Sequence, residues 1–150
     1  MKVPVYSVKL VRARKPLELA ESAVHTQYGA AAVLSELIGS TDREHFAVLF
    51  LDCQNAIVGV HVAHIGGQSA VAGVEARTVF RAAIAACASM VVLGHNHPSG
   101  DPTPSKQDRA TTAQLVEAGK VLGIPVVDHV IVTRDCLRHY SMASHGELES

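Results

Sequence analysis

Tryptophan is absent from this 150-residue chain, and phenylalanine and tyrosine supply only three residues each. The core therefore has to be mainly aliphatic. No run of about 18 apolar residues occurs, which excludes a membrane-spanning helix. The N-terminus lacks the uninterrupted apolar stretch of a signal peptide, so the expected location is the cytoplasm. Cysteine is scarce: Cys53, Cys87 and Cys136 are an odd number with no C-x-x-C pair. That excludes a disulfide framework and a zinc ribbon, and leaves three small apolar fillers in a reducing compartment. Net charge is nearly absent as well, with 13 Lys+Arg against 14 Asp+Glu and a formal charge of −1. No bulk charge points to nucleic acid or a membrane surface. Only the first fifteen residues depart from this balance, with Lys2, Lys9, Arg12, Arg14, Lys15 and no acid. A solvated terminus accounts for them; nucleic acid as an anionic partner is the weaker reading.

What is present is globular: 48% hydrophobic and 18% charged residues, without repeats or a long linker. Residues 1–19 read as an N-terminal arm, where Pro4 and Pro16 discourage regular structure, and residues 20–150 as a single domain. The pattern predicts a helix over 20–38, with Leu34, Leu37 and Ile38 buried and Gly39 just past its end. HFAVLFLD, at 45–52, is apolar on both alternating faces and predicts a strand buried on both sides. A turn at 53–55 returns it as a hairpin strand over 56–65. Helices are predicted over 75–87, with Phe80, Ile84 and Cys87 in line, and over 105–122, with Thr111, Leu115, Ala118 and Leu122 in line. Short strands are predicted over 90–93, 126–133 and 137–142. The sum is a mixed α/β layer domain.

The segment GHNHPSGDPTPSKQD, 94–108, carries the chemistry. Two histidines two apart at a strand end project from one face, and two imidazoles can share a metal ion such as zinc. The loop after them is rich in proline and glycine and reverses the chain. Ser105 and Asp108, three apart, share one helix face that can turn back toward His95 and His97. Two His and one carboxylate leave the fourth zinc position for water, whose pKa the metal lowers to about 7. A hydrolase then needs a general base, to be found elsewhere in the chain, and a donor to the oxyanion, a task that suits Ser105. The bland alternative is a pair of loop histidines followed by a helix capping box from Ser105 to Asp108.

With H-x-H, seven residues, Ser, two residues and Asp in place, the chain resembles the JAB/MPN metalloprotease superfamily, whose JAMM motif has this spacing after an upstream Glu. The string HNHPSGDPTPS, with VVDHVIV downstream, resembles its RadC-like branch over about residues 43–138. The resemblance implies a cytidine-deaminase-like α/β fold, a curved mixed sheet flanked by helices. It implies one Zn2+ per chain held by His95, His97 and Asp108, with Ser105 supporting the intermediate. The upstream Glu matches Glu44, just before the strand at 45–52; Glu75, which starts the second predicted helix, is the rival. The implied activity is hydrolysis of a peptide or isopeptide bond in a protein substrate by a metal-activated water, with Glu44 as base. The alternative is a non-catalytic RadC-like binding module in DNA repair or mobile-element biology. RadC-like proteins usually carry an N-terminal helix-hairpin-helix region, and no G-x-G hairpin precedes His45, which argues against duplex DNA as the partner. Pairing of sheet edges into a homo-oligomer is compatible with the fold.

Other chemistries fit less well. A zinc deaminase needs H-x-E and P-C-x-x-C, both absent. A two-metal phosphoesterase needs more Asp and His ligands than can be assembled. His61 and His64, three apart on a strand, are expected on opposite faces. Asp128-His129 reads either as support for a ligand histidine or as a polar strand end. Asn96 is expected to point away from its histidine neighbours and to tie down the loop. Residues 66–73, small and glycine-rich, are expected to form a flap.

Overall fold

Strand β1 (His45–Leu51) is buried at every position after His45, which requires cover on both faces. In the computed structural model it lies inside the sheet, antiparallel to β2 (Ile57–Ile65) on one side and to β3 (Met90–Asn96) on the other. β4 (Val126–Val132) runs parallel to β3, and β5 (His139–Ser141) pairs antiparallel with β4, so the order is β2-β1-β3-β4-β5. The structure describes residues 23–66, 71–135 and 137–148, with Val3, Pro4, Val11 and Glu18.

Helix α1 (Gln27–Leu34), which widens into a π-turn at Ser35–Gly39, covers one face against Ala47, Leu49, Val92 and Val130. Helices α2 (Ala76–Ala85) and α3 (Lys106–Leu122) cover the other against Phe46, Val48, Val91 and Leu93. The result is the mixed α/β layering expected, a five-stranded mixed sheet flanked by helices. Each fully buried Leu or Phe contributes about 1.5–3 kcal/mol, so the aliphatic centre strands dominate the stabilisation.

Local chemistry sets the ends that position the site. The β1–β2 turn closes on the Asp52 carboxylate, which accepts from the backbone N–H of Gln54 and Ala56 at 2.8 and 2.9 Å. Asn55 sits there at φ 63°, where a short polar side chain is tolerated. α3 starts at a capping box between Ser105 and Asp108 and stops at Gly123, at φ 69°. Both features lie within a residue of the expected boundaries.

Several expectations are corrected. α1 begins at its Thr26 cap rather than at residue 20, because Ala23 forms a bridge with Ala56 and is committed to extended backbone. In α2 the buried side is Val79, Phe80 and Ala83; Ile84 is 55% exposed and Cys87 lies beyond the helix at φ 53°. In α3, Leu122 is exposed and the buried side runs through Asp108, Thr112, Val116 and Gly119 beside Thr111 and Leu115. Cys53 and Cys87 are exposed in turns rather than core fillers, and Cys136 lies outside the described residues. His61 and His64 share a face: Val48 pairs with His61 and Phe46 with His64, and the bulge between them shifts the alternation by one. His61 accordingly stacks on Phe50, and the His64 ring lies against Gly73. The five basic residues of the arm fall outside the described residues, as do 67–70 of the expected flap; its end forms a 3-10 turn at Val71–Gly73. No helix among the described residues is long and apolar enough to cross a membrane.

Candidate metal centre

Alternation along β3 sorts its last residues. Val91, Leu93 and His95 face the α2–α3 side, whereas Val92 belongs to the α1 side. His97, just past the strand, returns to the face of His95. Their Nε2 atoms lie 3.0 Å apart. Asp108, in the first turn of α3, meets both: Oδ1 is 3.4 Å from His95 Nε2 and Oδ2 3.7 Å from His97 Nε2. The ligand atoms of the three residues lie within 4.8 Å of one another.

The donor set fits a divalent metal. The His97 Nδ1 is 2.7 Å from the Asp101 carbonyl oxygen, which can only accept, so His97 donates there and turns its Nε2 inward as a candidate ligand atom. Two imidazole nitrogens and a carboxylate oxygen converging in a largely buried space suit zinc geometry. Asp108 is only 3% exposed. Burial acts to raise its pKa, but the adjacent His95 and His97 rings outweigh it and hold the carboxyl well below the usual range. Burial lowers the pKa of His95 despite Asp108. Burial lowers that of His97 too, but Asp108 and the Asp101 carbonyl win, and its pKa is raised. The charge of Glu44 acts in the same upward direction on both histidines.

Register also places Glu44. Phe46 pairs with His95, so two residues back along β1 and two forward from β3, Glu44 and His97 stand opposite one another at the end of the sheet. Both line a cavity of about 380 Å³ together with Ala72, Ser99, Ser105, Gln107 and Asp108. Asn96, on the opposite parity, does point away and ties the loop down. Its Oδ1 accepts from the His45 N–H at 2.7 Å, and its amide donates to Thr41 Oγ1 and the Arg43 carbonyl, each at 3.0 Å. Glu75 is not among the cavity residues; it is exposed at the start of α2 and paired with Arg77.

Ser105 forms the capping box of its alternative reading and also lines the cavity. Its Oγ accepts from the Asp108 N–H at 3.1 Å, and its own N–H donates to Asp108 Oδ2 at 2.6 Å. The cap thus orients the carboxylate toward the histidines, and the Ser105 hydroxyl still lines the cavity. Asp128 does not support a ligand: its carboxylate accepts from the His129 and Ala143 N–H groups and from the Ser141 hydroxyl, fastening β4 to the turn after β5. Of the pair Asp128-His129, sequence reasoning gave the supporting role to the carboxylate, whereas it is the His129 ring that meets His95; Thr112 was not singled out at all. His129 Nε2 lies 2.8 Å from His95 Nδ1, and its Nδ1 lies 2.5 Å from Thr112 Oγ1. The one sequence signal was a histidine inside the apolar run VVDHVIV.

The profile of the RadC-like JAB domain family matches residues 24–147. Among known proteins, the chain is 47% identical over 100 residues to a UPF0758 protein of Caldanaerobacter subterraneus, covering 67% of this chain and 42% of the relative. It is 44% identical over 111 residues to a UPF0758 protein of Rubrobacter xylanophilus, covering 74% of this chain and 47% of the relative. A UPF0758 protein of Salinibacter ruber is 42% identical over 119 residues, 79% of this chain and 50% of the relative. The chain therefore spans about half the length of these relatives.

Proposed function

Because the chain belongs to the RadC-like JAB domain family, we propose that it is a zinc-dependent hydrolase of peptide or isopeptide bonds, with His95, His97 and Asp108 as the metal ligands. The observation that carries this reading is the convergence of two imidazole Nε2 atoms and a carboxylate beside a cavity lined by a second carboxylate, Glu44. When bound, zinc supplies Lewis acidity that makes water acidic near neutral pH and polarises a carbonyl.

The chain's own groups have separate tasks. Glu44, at the cavity wall opposite His97, takes the proton from the attacking water and returns it to the departing amine. Ser105 donates its hydroxyl proton to the oxygen that gains charge as the carbonyl is attacked. The capping box keeps Asp108 oriented as a ligand. Asn96 holds the backbone on both sides of Glu44, so the base is presented from a braced loop end. The substrate is a protein whose peptide or isopeptide linkage enters the cavity lined by Glu44, Ser99 and Gln107.

The test begins with metal content. Purified protein should hold close to one zinc per chain, and His95→Ala/His97→Ala should hold none. Against fluorogenic peptide and isopeptide substrates, Glu44→Gln should keep the zinc and lose about 100- to 10,000-fold in turnover. Turnover retained in that variant removes Glu44 from its role. Zinc absent from wild-type protein after reconstitution removes the metal reading itself.

A further inference from the structure

We infer that Thr112 and His129 are positioning residues: together they fix the proton of His95 on Nδ1, so that Nε2 presents a lone pair to the metal. The inference rests on the metal reading above and assigns work to two residues outside the ligand set.

The chain of contacts is fixed at its Thr112 end. Thr112 Oγ1 lies 2.6 Å from the backbone carbonyl oxygen of Asp108, one turn earlier in α3. Two oxygens that close repel unless a hydrogen lies between them, and a carbonyl has none to offer. The Thr112 hydroxyl proton is therefore committed to Asp108. The same hydroxyl oxygen is 2.5 Å from His129 Nδ1, so the hydrogen in that contact has to come from the ring. His129 is 0% exposed, and its two ring nitrogens meet only the Thr112 hydroxyl and the His95 ring, with no carboxylate against either, so the ring is neutral and carries one proton. With that proton on Nδ1, His129 Nε2 is a bare acceptor. Its neighbour at 2.8 Å is His95 Nδ1, which must then carry a hydrogen. The remaining nitrogen of His95, Nε2, is the one that faces His97 and Asp108.

Each contact allows one direction only once the first is set. The sequence runs from His95 to His129 to Thr112 to the Asp108 carbonyl, so it begins on one ligand and ends on the backbone of another. The walls of the relay leave little room for another arrangement. His95 is stacked on Phe46 with ring centroids 6.3 Å apart, and His129 meets the same ring edge-on at 5.5 Å. Both histidines are 0% exposed, so water has no ready access to replace a missing partner. Asp128, the carboxylate adjacent to His129 in sequence, is engaged elsewhere and does not compete for its ring.

Thr112→Val tests the relay with almost no change of shape. Valine offers no acceptor to His129 Nδ1, so the His129 proton should move to Nε2 and donate to His95 Nδ1. That displaces the His95 proton onto Nε2, the metal-facing nitrogen. Long-range 1H–15N spectra of the metal-free full chain at pH 7.5 read both tautomers directly. Wild-type protein and Thr112→Ser should show both rings protonated at Nδ1, and Thr112→Val should show both protonated at Nε2. Zinc affinity, measured by competition with a chromophoric chelator, should fall about 10- to 100-fold in Thr112→Val and recover in Thr112→Ser. Wild-type His95 protonated at Nε2 overturns the inference without recourse to any variant. So does Thr112→Val with wild-type tautomers and affinity. Either result with normal zinc uptake leaves the metal reading intact, whereas failure of wild-type protein to bind zinc, with its His95 proton on Nδ1, defeats the metal reading rather than the proton order.

Discussion

Asn96→Ala is the perturbation that most directly tests how the Glu44 segment is held. The residue is 0% exposed and makes three hydrogen bonds across 51 to 55 residues of chain, to His45, Arg43 and Thr41. Alanine removes all three and leaves the His45 N–H and the Arg43 carbonyl without that partner. At about 1 kcal/mol net for each bond, the loss is about 3 kcal/mol. In a domain of this size 1 kcal/mol moves Tm by about 2–4 °C, so Tm should fall by about 6–12 °C. The assay is urea and thermal unfolding of the metal-free protein in chelator, so that zinc linkage does not enter. Asn96 touches none of the three ligand side chains directly, so zinc affinity should stay within a few-fold of wild type while turnover drops at least about tenfold, because Glu44 is no longer braced. A stability loss below about 1 kcal/mol would refute the bracing argument. So would zinc affinity and turnover falling by the same factor.

Gly94→Ala should cost about 1–3 kcal/mol by overpacking. A Cβ there would stand 2.4 Å from both terminal methyls of Leu34 and 2.9 Å from its Cγ, so unfolding curves that match wild type would contradict the packing of α1 on β3. The metal-free protein should also lose stability as pH falls from about 6.5 toward 5. His129 and His95 have folded pKa values below the unfolded value, so the unfolded chain binds more protons in that window. The contribution is complete above about pH 6.5 and is lost on acidification by about 1.4 kcal/mol per pH unit for each ring that stays neutral. His97, whose pKa is raised, acts in the opposite sense and only above that window. Urea unfolding in chelator at pH 7.5, 6.5 and 5.5 reads the slope, and His129→Gln should flatten it; stability that is constant or rises on acidification contradicts the burial argument.

The strand positions were legible in sequence because β1, β3 and β4 each carry an apolar run on both faces, and a strand covered on both faces needs no information from its partners; β3 runs on to Asn96, past the expected 90–93, where its apolar run gives way to Gly94, His95 and Asn96. The start of α1 was not legible, because it depends on Ala23 meeting Ala56, a contact between residues far apart in the chain. The exposure of Ile84 and Leu122 was likewise hidden: helical spacing identifies a stripe, but only the neighbouring helix decides how much of it is covered. The shared face of His61 and His64 failed for a definite reason. A period of two holds until a bulge inserts one residue, and a bulge leaves no mark in the order of side chains.

The sequence by itself determined the candidate ligands His95, His97 and Asp108, since a shared metal would demand these residue types and the strand and helix periods set their spacing. It also determined the capping box, which involves only residues three apart. Tertiary structure decided between Glu44 and Glu75 as a cavity residue, because the β1–β3 register sets Glu44 opposite His97 and leaves Glu75 in solvent beside Arg77. It alone revealed that His129 of β4 meets His95 across 34 residues of chain and that Thr112 of α3 meets His129 across 17. Ligands are chosen by local chemistry that a motif can carry; the groups that hold a ligand's proton in place are chosen by packing, which brings together residues that no local spacing connects.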